Sequence, residues 1–379
     1  MSGIFTLQAK DSETRARAGI LRTPRGDVPT PVFMPVATQG SVKALSQEDL
    51  ELLGTRAILA NAYHLYLRPG TALIKAAGGL HKFMTYDGMI LTDSGGFQVL
   101  SQPDLRSIDD DGVSFKSHID GSNHRLTPGK VIEIQRELGS DCWTTLDVCS
   151  PYPCTEAAAA EALRRTMAWT DRSLPALAKA RAEGCNPLFF PILQGSFFPE
   201  LRKRAAEHLI ASGADGVAIG GLSVGEPKDL TWTTLEAAAC VLPEDRPRYL
   251  MGVGTPEELW KAAAGGVDMT DCVFPTRVAR NGQVMTAVGR YNITNAASRE
   301  SLGPLEGGCD CFVCRRYSRA YLRHIFRAAE LASYRLLSFH NLHLMARISA
   351  QIREAILAGR FSAAWREFQA RQQPRSLQK

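Results

Sequence analysis

Eight short apolar runs separated by amphipathic helical patterns occupy residues 31–273, and this alternation constrains the fold more than any other feature. The runs are PVFMPV (31–36), AILANA (57–62), MILT (89–92), CWTTL (142–146), LFFPIL (188–193), GVAI (216–219), RYLMG (248–252) and MTDCV (269–273). They are apolar almost throughout, as strands buried on both faces must be, and this predicts a parallel sheet built from βα units. Helix grammar fills the gaps. Ser46 with Asp49 and Gly54, Thr127 with Pro128 and Gly139, and Thr255 with Pro256 and Gly265 each supply a cap, a start and a stop. Eight strands with intervening helices over roughly 240 residues predict an α/β fold, a TIM (β/α)8 barrel.

Two stretches depart from the rhythm. Between Gln98 and Thr127 the turn signals Asp111-Gly112 and Asp120-Gly121 flank VSFKSHI, which predicts a β-hairpin insertion after the third strand. Beyond residue 285 the barrel pattern stops, and residues 315–370 read as long helices rich in Arg and Ala. The expected division is a barrel body over 1–285 and, packed on it over 286–379, a basic helical subdomain that carries the cysteines of CDCFVC (309–314), spaced as zinc ligands.

With 45% apolar and 22% charged residues the composition is that of a soluble globular protein. The N-terminal residues lack the apolar core of a signal peptide, and no run of 18 uncharged apolar residues occurs, so no membrane segment and a cytoplasmic location are expected. Charge is unevenly spread. From Cys309 onward there are 13 Lys/Arg against 4 Asp/Glu, +9 net, whereas the first 308 residues hold 31 against 35, −4 net. A basic terminal module beside a mildly acidic body suits a polyanion, as does a merely solvated helix face.

Barrel active sites lie at the C-terminal ends of the strands. There the sequence places Asp93, Asp147, Gln194, Gly220-Gly221, Met251 and Asp271. Any one Asp would serve as a helix cap. Asp271 is different, because it sits inside the apolar run of MTDCVFPTR, where an ionised group is costly unless paired or used. It is read as a nucleophile or an acid/base group. A carboxylate can accept the two N–H donors on one edge of a guanine, while an amide and a backbone N–H donate to its carbonyl. Asp147, Gln194 and the Gly221 N–H form such a set, with Phe97 and Met251 able to sandwich the ring; a sugar would also suit the carboxylates.

In CDCFVC, Cys309, Cys311 and Cys314 have metal-ligand spacing, and His324, His340 and His343 follow as candidate fourth ligands. The pattern predicts a closed Cys3His zinc site of structural type.

TDSGGFQVLS (92–101), DVCSPYP (147–153), ILQGS (192–196), GGLSVGEP (220–227), MGVGTPEE (251–258), DCVFPTRVARNG (271–282) and CDCFVC, with SRAYLRH and SFHN, resemble bacterial tRNA-guanine transglycosylases nearly end to end. The resemblance implies a TIM barrel with a zinc-binding insert. It also implies exchange of guanine at the wobble position of GUN-anticodon tRNAs (Asn, Asp, His, Tyr) for 7-aminomethyl-7-deazaguanine, in queuosine biosynthesis, through a covalent tRNA–enzyme intermediate. By the same resemblance Asp271 is the nucleophile and Asp93 the proton acceptor and general acid/base. The base site is implied to comprise Asp93, Ser94, Gly95, Gly96, Phe97, Asp147, Cys149, Gln194, Gly221, Leu222, Val224 and Met251. RNA contacts are implied for Gly252, Val253, Gly254, Thr255, Pro256, Glu257 and Glu258, and for Thr276, Arg277, Val278, Ala279 and Arg280. His340 is implied as the fourth ligand of one structural Zn2+, and a homodimer as the assembly. Cys149 and Val224 match the narrower bacterial pocket; Val148 stands where bacterial members commonly carry Glu, and Phe97 where some carry Tyr. A barrel hydrolase passing the intermediate to water and a non-catalytic RNA-binding subunit are the rival readings; the basic tail and TRVAR stand against the first, Asp271 with Asp93 against the second.

Overall fold

The structure is a computed structural model in which residues 3–100 and 106–372 are described. Every apolar run of the alternating pattern contains a strand. The strands are Val32–Met34 with Val36–Ala37, Ala57–Asn61, Met89–Asp93, Cys142–Thr144, Leu188–Phe190 with Ile192–Leu193, Val217–Ile219, Arg248–Leu250 and Met269–Asp271. Two of the runs are interrupted, at Pro35 and Pro191, because proline brings no N–H to a ladder. The carbonyls of both prolines remain in use, accepting from the Leu59 and Ala218 N–H groups at 3.0 and 3.1 Å.

These strands form two five-stranded parallel sheets. In the first, Val36–Ala37, Ala57–Asn61, Met89–Asp93, Cys142–Thr144 and Leu188–Phe190 pair in that order. In the second, Ile192–Leu193, Val217–Ile219, Arg248–Leu250, Met269–Asp271 and Val32–Met34 follow in turn. Segments 32–37 and 188–193 thus contribute to both sheets. Phe190, Met34, Leu91, Tyr249 and Met269 pack into one apolar cluster with Phe5 and Leu21.

The helix caps form as read. Ser46 and Asp49 make a capping box, as do Thr255 and Glu258, and Thr127 caps a helix that Pro128 starts and Gly139 ends in the left-handed conformation. The insertion after the third strand is larger than the expected hairpin. It is a three-stranded antiparallel sheet of Arg106–Asp109, Gly112–Lys116 and Asn123–Leu126, since Asp111-Gly112 joins two strands instead of marking an end. Its first turn is clamped to the helix Glu156–Ala182, with Asp110 Oδ1 accepting from Arg164 and Arg165 at 2.7 and 3.1 Å.

A second antiparallel sheet, Phe5–Lys10, Arg17–Thr23 and Gly26–Thr30, precedes the parallel strands and escaped the sequence reading. The boundary drawn at 285 falls inside the strand Gln283–Thr286, which pairs with Gly289–Asn292. Four α-helices follow among the described residues, Phe312–Arg316, Arg319–Arg327, Leu331–Leu357 and Phe361–Gln372. The long helix Leu331–Leu357 is largely buried and packs against strand Val32–Met34 and helix Phe274–Arg280. No helix among the described residues is long and apolar enough to cross a membrane.

Candidate active site

Asp93, Asp147 and Asp271 are all buried, at 8%, 4% and 6% exposure, where the parallel strands end. Asp271 closes the strand Met269–Asp271. Its Oδ1 accepts from the Tyr249 hydroxyl at 2.6 Å and from the Gly252 N–H at 2.8 Å, while Oδ2 accepts from no described residue. Burial raises the pKa of Asp271 above the ordinary carboxylate value, and those two donors oppose the rise. Tyr249 is itself fully enclosed and titrates well above its usual value because of that burial, so its hydroxyl stays a donor.

Asp93 closes the strand Met89–Asp93. Asn61, at the end of the neighbouring strand, donates to Oδ2 at 2.7 Å and Gln98 at 3.2 Å, whereas buried Oδ1 has no hydrogen-bond partner among the described residues. Burial, and then the charge of Asp271, raises Asp93 to about 7. A carboxyl poised there can both give and take a proton at neutral pH. Both acids thus take two donors on one oxygen and leave the other bare, and what separates them is that the charge of Asp271 adds to burial in raising Asp93.

Asp147 lies just beyond the strand Cys142–Thr144 and accepts from Gln194 Nε2 at 2.6 Å. Burial raises it to about 6, against the pull of the Gln194 bond. Gln194 Oε1 is buried without a partner among the described residues. Glycines pack closely around this pair. A Cβ at Gly96 would lie 3.0 Å from Asp147 Oδ1, and one at Gly221, whose φ is +67°, would lie 2.3 Å from Gln194 Oε1. Only glycine lets the backbone approach the two polar side chains this closely.

The remaining expected base-site residues stand nearby in sequence and differ in exposure. Ser94 is buried and accepts from the Gly96 N–H at 3.2 Å, and Gly95 takes φ +79° against Tyr63. Phe97 is 54% exposed, which leaves its ring free to stack. Met251 and Val224 are half-buried and Leu222 is buried. Burial pushes the Cys149 thiol up to about 12, so it acts as a small wall residue and not as a thiolate. Val148 packs against the core and its N–H donates to Thr166 at 2.9 Å.

The expected RNA-contacting stretches are mostly covered. In 276–280, Thr276, Val278 and Ala279 are buried, Arg280 is half-buried and Arg277 is exposed on the helix Phe274–Arg280. In 252–258, Gly252 and Glu257 are exposed, Val253 and Gly254 are buried, and Thr255, Pro256 and Glu258 are half-buried at the helix start. The basic tail is likewise partly consumed. Arg335 pairs with Asp49, Arg347 with Glu306, and Arg353 donates to the Gly19 and Thr30 carbonyls, while Arg315, Arg316 and Arg327 face outward.

Cys309, Cys311, Cys314 and His340 converge, their ligand atoms all within 4.8 Å of one another. His340 Nδ1 faces the three sulfurs at 3.8, 3.6 and 3.4 Å, and Nε2 lies 2.9 Å from the Met285 carbonyl. That outer contact places the proton on Nε2 and leaves Nδ1 with its lone pair toward the sulfurs. His343 instead pairs with Asp310 at 2.7 Å and His324 is exposed, so geometry separates the three candidate histidines. Four buried soft and borderline donors fit a closed metal site.

Four residues of the site escaped sequence reading: Asn61, Gln98, Tyr249 and Glu226. Asn61 was visible as the polar end of an apolar run, like Asp93. Tyr249 was hidden because it reads as an apolar strand residue. Glu226 accepts from the Ser223 and Val224 N–H groups at 2.5 and 2.8 Å, a loop contact that no spacing rule announces.

A sequence model described as queuine tRNA-ribosyltransferase matches residues 11–374. A queuine tRNA-ribosyltransferase of Desulforudis audaxviator is 50% identical over 370 residues, 98% of each chain. That of Desulforamulus reducens is 50% identical over 350 residues, 92% of this chain and 93% of its own. That of Caldanaerobacter subterraneus is 50% identical over 364 residues, 96% of each.

Proposed function

Because the chain belongs to the queuine tRNA-ribosyltransferase family, we propose that it exchanges guanine at the wobble position of GUN-anticodon tRNAs for 7-aminomethyl-7-deazaguanine. The observation that carries this reading is the pair of buried strand-end acids, Asp271 with both donors on one oxygen and Asp93 poised at about 7.

Asp271 Oδ2 attacks the ribose C1′ of the wobble nucleotide as the C1′–N9 bond breaks, and a proton from Asp93 accompanies the departing guanine. The incoming base returns its N9 proton to Asp93 and attacks C1′, expelling the Asp271 carboxylate. Two displacements through an oxocarbenium-like transition state conserve electrons and configuration, as in retaining glycosidases, so neither ATP nor a redox cofactor enters. Tyr249 and Gly252 stabilise the carboxylate as it leaves C1′. Asp147 accepts the N–H groups of the base edge, Gln194 and the Gly221 N–H donate to its carbonyl, and the Leu222 carbonyl accepts from the aminomethyl group. Phe97 and Met251 enclose the ring, with Ser94, Gly95 and Gly96 lining the site and Cys149 and Val224 narrowing it.

The ligand set supports Zn2+ at Cys309, Cys311, Cys314 and His340, where the ion would order the fold and take no part in the exchange. Segments 32–37 and 188–193, each shared by both sheets, support closure of the two sheets into one eight-stranded barrel. From residue 286 on we assign a zinc-bearing module packed on that body, with Arg277, Arg280 and the outward arginines toward the tRNA backbone. A homodimer and a cytoplasmic location complete the proposal.

The test is incorporation of radiolabelled guanine into an unmodified GUN-anticodon tRNA. Wild type should label the tRNA, while Asp271→Ala and Asp271→Asn should not, although both still bind it. Failure of zinc-replete wild type to incorporate label, with tRNA binding intact, would sink the catalytic reading.

A further inference from the structure

Arg202, on the helix Pro199–Ala211, is fully buried and has no carboxylate partner among the described residues. Its Nε donates to the Ser196 carbonyl at 2.7 Å and Nη1 to that of Leu193 at 3.4 Å. Nη2 reaches the Gly220 carbonyl at 3.0 Å and the Gly221 carbonyl at 3.4 Å. Burial lowers its pKa to about 10, which still leaves a cation at neutral pH. An enclosed cation that touches no carboxylate, and feels Glu226 only as a more distant charge, is expensive. A chain needing only packing there would be served by Leu or Met.

The carbonyls it grips identify the use. Gly220 C=O and Gly221 N–H belong to one planar trans peptide, so holding the oxygen fixes the direction of the N–H on the other side. The Gly221 N–H donates to no described residue. It stands beside Gln194, whose Oε1 a Cβ at Gly221 would strike at 2.3 Å. A charged donor on the carbonyl end also polarises the peptide and strengthens its N–H as a donor. The Leu193 carbonyl is the peptide that leads directly into Gln194. One guanidinium therefore holds the backbone behind both groups assigned to the purine carbonyl.

We propose that Arg202 is a positioning residue for base specificity, orienting and polarising the Gly220–Gly221 peptide so that the Gly221 N–H, beside Gln194, donates to the carbonyl oxygen of a 6-oxopurine. This rests on the assignment of the base site made above.

Equilibrium binding of free guanine and of 6-thioguanine to the full chain tests it without requiring turnover. The two purines share their N–H donors and differ in acceptor strength at position 6. Arg202→Met should weaken guanine binding about tenfold, the scale of one charge-assisted hydrogen bond, and 6-thioguanine binding by no more than about twofold. Arg202→Lys, which keeps the cation but not the planar fork, should fall between. Should Arg202→Met not fold, the same loss of preference for guanine in Arg202→Lys decides the matter. Equal weakening of both purines in a folded variant, or an unchanged guanine affinity, overturns the proposal. Wild type that binds guanine but exchanges none into tRNA would overturn the transglycosylase reading instead, and the ratio of the two purine affinities would still decide the role of Arg202.

Discussion

Replacing Asp93 by Asn should make the folded protein more stable at pH 8 while abolishing exchange. Asp93 is buried, and that burial, with the charge of Asp271, lifts it from an ordinary 3.8 to about 7. A carboxyl that binds its proton more tightly when folded contributes stability that is fully present below the unfolded value and is lost as pH rises through the folded one. The window is therefore about pH 4 to 7. A rise of about three units corresponds to about 4 kcal/mol between its ends. Asn is neutral throughout and can still accept from Asn61 through its carbonyl, and the charge-assisted part of that bond is already contained in the net rise. The net expectation is a gain of about 4 kcal/mol at pH 8 that vanishes near pH 4. Urea unfolding of wild type and Asp93→Asn at the two pH values measures it. A variant no more stable than wild type at pH 8 would refute the view that Asp93 is held against its preference for water.

Tyr249→Phe removes one of the two donors on Asp271 Oδ1 and should slow exchange by about 10- to 100-fold, a hydrogen bond to a charged group, with tRNA affinity unchanged. Its covalent tRNA adduct should persist longer on denaturing gels, and rapid loss of the adduct would count against Tyr249 assisting departure of the carboxylate. Cys311→Ser should abolish stoichiometric metal in elemental analysis and lower the melting temperature, because Cys311 is one of four buried ligands joining the loop to the helix Leu331–Leu357. Full metal content in that variant would point to a different ligand set.

The sequence by itself determined what is encoded within a few residues. Continuous apolar runs marked buried parallel strands, Ser46, Thr127 and Thr255 marked helix starts, and the cysteine spacing marked a metal loop. Such signals persist because caps and strand burial depend on near neighbours and on one periodicity. The N-terminal antiparallel sheet and the strand Arg106–Asp109 were missed, since their largely polar segments become strands only once paired. What the tertiary structure alone decided is which distant groups meet. Asp93 and Asp271 are 178 positions apart in the chain, yet the charge of one acts on the other. His340 is separated from His343 by a single helical turn, and only packing against Met285 turns its Nδ1 toward the sulfurs. Arg202 reads as one more basic residue on an amphipathic helix until folding closes the strand-end loops over it. Lateral strand pairing and burial set these meetings, and neither is a property of any local stretch of chain.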